Sequence, residues 1–114
     1  MPDLSHRTPP PAARPDDQDQ ITIGPGVQDA DIGDEIVLLH PEDGGYFSLN
    51  ETGARLWREL GTAAAPRAEV VRRAAGALCA EWLIDRAQAE LDLHELLDQL
   101  LRRRLVAVAP RPAP

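Results

Sequence analysis

The sequence predicts an α+β fold, with a small antiparallel sheet in the first half of the chain and three helices in the second. Short β-branched runs, separated by turns that contain Gly and Pro, occupy residues 21–49. From residue 51 onward, apolar residues recur at intervals of three and four, which is the period of an amphipathic helix. The chain has 114 residues, enough for one domain with a single core.

The prolines mark the ends of that domain. Residues 1–20 hold five of the eleven prolines together with a run of Asp and Gln, and they offer little apolar surface to bury. We therefore expect a disordered tail over 1–20. Residues 109–114 hold three more prolines and are expected to form a second, Pro-rich tail. The folded domain is then expected over residues 21–108.

Three strands are predicted before the helices. Residues 21–23 form a short strand that runs into a turn or kink at 24–27, and residues 35–40 form a second, apolar strand. Residues 41–45 predict a hairpin turn, because Pro presets φ and the glycines accept positive φ. Residues 46–49 then return as the third strand of a meander, and alternate side chains of this strand point to opposite faces: Phe47 and Leu49 to one, Tyr46 and Ser48 to the other.

The helices have recognisable start and stop signals. Asn50 is a candidate cap for a helix over about 51–60 that Gly61 ends, and Pro66 suits the first turn of the second helix. Asp85 and Gln88 resemble a capping box that opens the longest helix, over about 86–104. The apolar stripe of that helix and its basic last turn are Leu93, Leu96, Leu97, Leu100, Leu101, Arg102, Arg103 and Arg104. A strand at 106–108 is expected to close the domain.

Composition excludes several function classes. The net charge is −7, which opposes binding to a phosphate backbone. A single Cys excludes a disulfide framework and a multi-cysteine zinc site, and the three His share no ligand spacing. No apolar run is long enough to span a membrane, and no signal peptide is visible, so a cytoplasmic protein is expected. We find no catalytic constellation, and we predict no enzyme activity, no metal and no cofactor.

Two helices joined by a short turn beside a hairpin also describe a winged helix-turn-helix. A winged-helix transcriptional regulator is therefore an alternative function. The solvent face of the longest helix would present Asp92, Glu95 and Asp98 to DNA, with the wrong sign for phosphates. The winged-helix shape is thus expected without nucleic-acid binding.

Several segments together resemble the PqqD family, whose members include pyrroloquinoline-quinone synthesis protein D and the stand-alone RiPP recognition elements of lasso-peptide clusters. The resemblance covers about residues 21–108. It rests on the strand and turn at 37–42, the run Tyr46-Phe47-Ser48-Leu49-Asn50-Glu51-Thr52-Gly53, the pair Leu56-Trp57, and the leucine-rich helix that leads to Leu105-Val106.

The resemblance implies a non-catalytic peptide-binding module. Such a module binds the leader segment of a ribosomally synthesised precursor peptide by β-strand addition and presents it to a modifying enzyme, such as a leader peptidase, cyclase or radical-SAM protein. Lasso-type biosynthesis is favoured, and a peptide chaperone of pyrroloquinoline quinone biosynthesis is the alternative. The expected peptide-binding residues are Tyr46, Phe47, Ser48 and Leu49 on the strand, with Leu93, His94, Leu97, Leu101 and Arg104 on the far wall.

The charge is unevenly distributed along the chain. Residues 21–65 hold eight acids and two Arg, for a net charge of −6, and they contain the proposed recognition hairpin. This predicts a leader that carries Lys or Arg near its docking segment.

Overall fold

The computed structural model describes residues 15–42, 44–61 and 64–109. The predicted fold class is confirmed there, with antiparallel strands and three helices. The elements in chain order are β1 (Gln20–Ile23), β2 (Gln28–Ile32), β3 (Glu35–Leu39), β4 (Tyr46–Leu49), α1 (Glu51–Leu60), β5 (Ala65–Pro66), α2 (Arg67–Glu81), α3 (Arg86–Arg102) and β6 (Val106–Ala109). The tail residues 1–14 and 110–114 lie outside the described residues.

Strands β2, β3 and β4 form the antiparallel meander, in that spatial order. The register pairs Leu38 of β3 with Asp29 of β2 and with Phe47 of β4. These three side chains therefore share one face of the sheet, and on that face Leu38 is fully buried. Strand β2 is absent from the sequence-based prediction because its residues, Gln-Asp-Ala-Asp-Ile, are all exposed and lack apolar alternation.

Strand β1 is not the first strand of the meander, as the sequence predicts, but the centre of a second sheet with the order β5-β1-β6. Its pairing with β6 confirms the predicted closing strand. At the turn after β1, the Gly24 N–H donates to the carbonyl oxygen of Leu105 at 2.9 Å. A Cβ at Gly24 would lie 2.5 Å from a backbone oxygen, so only glycine fits this crossing.

Helix α1 begins and ends where the sequence predicts. The Asn50 side chain accepts a hydrogen bond from the Gly53 N–H at 3.0 Å, which confirms the predicted cap. The helix ends at Gly61, which has a φ of 55°. The Trp57 Nε1–H donates to the Asp29 carboxylate at 2.7 Å and ties α1 to the outer strand of the meander.

Helix α2 begins directly after the proline that the sequence assigns to its first turn. The capping box predicted for α3 is wrong, because the Asp85 side chain makes no cap hydrogen bond. Gln88 donates instead to Asp92, one turn further along α3, at 2.9 Å. The helix also ends at Arg102 rather than at residue 104, and the chain turns into β6 through Arg104, which has a φ of 58°.

Arg67, at the start of α2, is 1% exposed and joins three parts of the chain. It donates to His94 Nδ1 at 3.0 Å, to the His94 carbonyl oxygen at 3.1 Å and to the Asp98 carboxylate at 2.9 Å. Asp16 lies 3.4 Å away, and the Arg67 N–H donates to the Asp19 carbonyl oxygen at 2.8 Å. Residues 16–20, which the sequence assigns to the tail, therefore pack on the domain.

The hydrophobic core is built mainly from aliphatic side chains of both sheets and all three helices, and only 4% of the residues in the chain are aromatic. Trp57 is buried in it, while Trp82 is half-buried at its edge. Its largest fully buried apolar residues are Ile21, Leu38, Leu49, Leu56, Leu60, Val70, Leu78, Leu93, Leu97, Leu100 and Val106.

Candidate functional site

The edge of β4 is the candidate site. In the described part of the chain, β4 pairs only with β3, so its other edge is open. The burial of β4 alternates as predicted: Tyr46 and Ser48 are exposed, Phe47 is half-buried and Leu49 is buried. An open edge with one apolar face is a template for an added strand.

The alternation of backbone hydrogen bonds between β3 and β4 decides which N–H and C=O groups of β4 can bind a partner strand. The His40 N–H donates to the Gly45 carbonyl oxygen at 3.2 Å at the base of the hairpin. Bonded and non-bonded pairs alternate along an antiparallel ladder, so the pairs of Phe47 and Leu49 with β3 are the bonded ones. The N–H and C=O groups of Tyr46 and Ser48 therefore point away from β3, towards the open edge.

The groove beside β4 is lined by one flank of α3. A Cβ at Gly53, on α1, would lie 3.2 Å from Leu96 and 2.9 Å from Leu49, so Leu96 faces the end of β4. About two turns further along, the guanidinium carbon of Arg103 lies 5.0 Å from the centroid of the Phe47 ring. The helix therefore runs along β4 in the opposite direction. A cavity of about 120 Å³ opens at the hairpin end of β4. It is lined by His40, Gly45, Tyr46, Phe47, Arg103 and Leu105.

The structure separates the predicted site residues into three groups. The backbone edge of Tyr46 and Ser48 and the ring of Phe47 are accessible. Leu49, Leu93 and Leu97 lie in the core with at most 2% exposure, so they support the groove from beneath and present almost no surface to a ligand. We therefore do not assign ligand contacts to these three leucines.

The remaining predicted residues contact other parts of the chain. His94 accepts from Arg67 on the opposite flank of α3. Leu101 shares that flank, since residues seven apart lie on one face of a helix. Arg104 forms an ion pair with Glu42 at 3.2 Å, across the base of the hairpin.

Leu96 and Arg103 are the groove residues absent from the predicted site. They belong to the face of α3 on which residues 92, 96, 99 and 103 repeat at helical spacing. The sequence contains this face, but periodicity alone does not say which flank of the leucine stripe meets β4. The contact of Leu96 with α1 and that of Arg103 with Phe47 settle the choice.

Two acidic residues of the first half of the chain, Asp29 and Asp31, lie away from the open edge. Asp29 and Asp31 are on β2, at the far edge of the meander, where they pair with Trp57 and Arg58. These four residues, with Ile23, Ile36 and Gly61, surround a separate cavity of about 280 Å³. Arg103, by contrast, lies over the Phe47 ring of the edge strand.

Other chemistry is not apparent in the described residues. No group of His, Cys, Asp and Glu in ranges 15–42, 44–61 and 64–109 is arranged to hold a metal ion. None of the helices described is both long and apolar enough to cross a bilayer.

An open edge strand beside a helix, on an α+β domain, is the arrangement of a domain that binds peptides by strand addition. The chain belongs to the PqqD family: the family of coenzyme PQQ synthesis protein D matches residues 35–106. The matched range runs from β3 to the start of β6 and thus contains the edge strand and the whole of α3. The resemblance inferred from the sequence is confirmed.

Two solved structures are similar to this chain. One is TbiB1 in complex with the TbiA(beta) leader peptide, which is 34% identical over 79% of this chain and 99% of that chain, with a TM-score of 0.65. The other is lasso peptide synthetase B1 complexed with the leader peptide, 24% identical over 76% and 96%, with a TM-score of 0.63, which supports the fold alone. No curated protein sequence matches the chain significantly.

Proposed function

We propose that this protein binds the leader segment of a ribosomally synthesised precursor peptide as an extra strand beside β4. It then presents the precursor to a modifying enzyme or a leader peptidase. The open edge of β4, with its apolar groove, is the observation that carries the proposal. The 34% identity to TbiB1, a protein bound to a leader peptide, supports it.

Micromolar binding of a leader requires both backbone hydrogen bonds at the edge of β4 and apolar contacts in the groove. Two outward-facing residues offer up to four backbone hydrogen bonds, together about 2–6 kcal/mol at roughly 0.5–1.5 kcal/mol each. Micromolar affinity needs about 8 kcal/mol. The difference, about 2–6 kcal/mol, corresponds to at least roughly 80–240 Å² of buried apolar surface at about 25 cal/mol per Å². Leader side chains against Phe47 and Leu96 would have to provide that surface.

The partners and the role follow from the same proposal. A strand-adding edge without catalytic side chains fits a non-catalytic delivery module, whose second partner is a peptidase, a cyclase or a radical-SAM enzyme. Such a module works where precursors are translated, in the cytoplasm. The sequence resemblance favours lasso-type biosynthesis, and the family description keeps a quinone-pathway peptide chaperone as the second candidate.

DNA binding by α3 is disfavoured by the structure. The helix surface formed by Asp92, Glu95 and Gln99 is exposed and carries two carboxylates. Carboxylates would meet phosphates with the wrong sign.

Ser48→Pro tests strand addition. The ring removes the N–H that faces the open edge and blocks the approach of a partner strand, while the bonds of β4 to β3 are kept. Fluorescence anisotropy with the labelled leader of the precursor encoded in the same gene cluster should show at least tenfold weaker binding. Ser48→Ala, which keeps the N–H, is the matched control and should bind like the wild type.

Amide hydrogen exchange provides an independent readout. Leader binding should slow exchange at Tyr46 and Ser48, whose N–H groups face the edge, more than at Phe47 and Leu49, which are already bonded to β3. Equal affinity of a folded Ser48→Pro variant, with no new protection of β4, would remove this strand from the proposal.

A further inference from the structure

Arg103 contacts the edge strand beside which the peptide is proposed to bind. Its backbone N–H donates to the Gln99 carbonyl oxygen at 3.1 Å, which closes the last turn of α3 and fixes where the side chain starts. The guanidinium then lies over the Phe47 ring, 5.0 Å from its centroid, within the range of a cation–π contact. Both side chains line the cavity at the hairpin end of the groove.

Within the described ranges, no carboxylate balances the charge of Arg103. Its neighbour Arg104 pairs with Glu42, and Arg67 pairs with Asp98 and Asp16. Among the residues that the structure describes, no Asp or Glu lies within ion-pair distance of Arg103. The ring occupies one face of the guanidinium, which leaves its in-plane N–H donors for another partner.

Compensation of the helix dipole does not account for this position. Arg102 lies at the same helix end and is equally able to complement it. Only Arg103, among the arginines described, is held over an aromatic ring, and that ring belongs to the edge strand.

We propose that Arg103 determines specificity by selecting leaders that carry an Asp or Glu side chain beside Phe47. This inference rests on the proposed strand addition, since alternate side chains of an added strand would point to the inner face, where Phe47 and Arg103 lie. A guanidinium that is already held in place binds a carboxylate with two parallel hydrogen bonds. The predicted charge of the leader at this position is therefore opposite to that inferred from the acid-rich sequence around the hairpin.

Selection from a random peptide library tests the inference and does not require the natural precursor. The probe is a yeast-displayed library of random 12-residue peptides, sorted against the wild type, Arg103→Glu and the matched control Arg102→Glu. Clones that lose binding to Ser48→Pro define the strand-adding class. In that class, we expect Asp or Glu to be enriched at one position for the wild type and Arg102→Glu. We expect that enrichment to be lost, or replaced by Lys or Arg, for Arg103→Glu.

A double-mutant cycle then assigns the contact. Changing the selected Glu to Gln, or Asp to Asn, in the best peptide should weaken wild-type binding by about fivefold, as for a partly exposed charge pair. The same peptide change should leave the affinity for Arg103→Gln unaltered. Equal losses with both proteins, or no acidic enrichment among clones sensitive to Ser48→Pro, would overturn the role of Arg103 and leave strand addition standing. A library that yields no clone sensitive to Ser48→Pro would overturn both proposals.

Discussion

Removal of the Arg67 guanidinium should destabilise the fold more than any other single change to a charged side chain. The group is 1% exposed and bridges residues on the N-terminal segment and on α3. Arg67→Met keeps the length and the apolar stem while it removes every donor. It removes the hydrogen bonds from Arg67 to the Asp98 carboxylate, the His94 ring nitrogen and the His94 carbonyl oxygen.

The magnitude follows from burial. Breaking a buried ion pair by removing one partner costs about 3–5 kcal/mol. The carboxylates that remain are 41% exposed at Asp98 and 33% exposed at Asp16, so water can solvate part of each charge. The lower end, about 3 kcal/mol, is therefore expected for Arg67→Met. With a urea dependence of about 1.5 kcal/mol per molar, this shifts the unfolding midpoint by about 2 M.

Urea unfolding followed by Trp fluorescence and circular dichroism measures the shift. Arg73→Met is the matched control, because Arg73 is half-exposed and its pair with Glu69, one turn away on α2, contributes about 0.5 kcal/mol or less. Adding Asp98→Asn to Arg67→Met should recover part of the loss, since it removes the carboxylate left without Arg67. An Arg67→Met variant within about 1 kcal/mol of the control would refute the reasoning.

Three further changes test how local contacts hold the site. Asn50→Ala should lower the free energy of unfolding by about 1 kcal/mol through loss of the α1 cap, while Asn50→Asp, which still accepts the bond, should not; chemical denaturation measures both. Trp57→Phe should lower the free energy of unfolding by about 1–2 kcal/mol, because it removes the indole donor to the Asp29 carboxylate. Hydrogen exchange at the β2 amides should also become faster. Gly24→Ala should lower the free energy of unfolding by about 1–3 kcal/mol, because its Cβ would lie 2.5 Å from a backbone oxygen. A Cβ at Gly76, on α2, would meet only the end of the Arg86 side chain at 3.9 Å, so Gly76→Ala should raise the melting temperature by adding up to about 1 kcal/mol.

Elements with strong local signals could be predicted from the sequence. Helix α1 has a capping Asn and a terminating Gly, and both act as the pattern indicates. The hairpin of β3 and β4 follows from Pro and Gly in the turn and from alternation on the returning strand. Strand β2 has no such signal, since its place depends on pairing with β3 and on the bonds of Asp29 and Asp31 to α1 rather than on its own apolar pattern.

The candidate site likewise has one part that could be predicted from the sequence and one part that could not. The edge strand and the alternation of its side chains could be predicted, because both depend on residues close together in the chain. The far wall could not, because the leucines of α3 look alike in sequence. Burial separates Leu93 and Leu97, which hold the core, from Leu96, which faces β4.

Local sequence therefore determined the α+β class, the helix-starting residues of α1 and α2, and the edge strand β4. These features depend on steric and hydrogen-bonding preferences within a few residues, which any chain with this sequence carries. Only the tertiary structure decided which flank of α3 meets β4 and where the charges of distant segments come together. Asp29 and Asp31 on β2 bond to α1, while Arg103 reaches Phe47 from a helix end more than fifty residues further along the chain. The charge in the groove is therefore set by how distant elements pack together. That packing cannot be inferred from the order of residues along the chain.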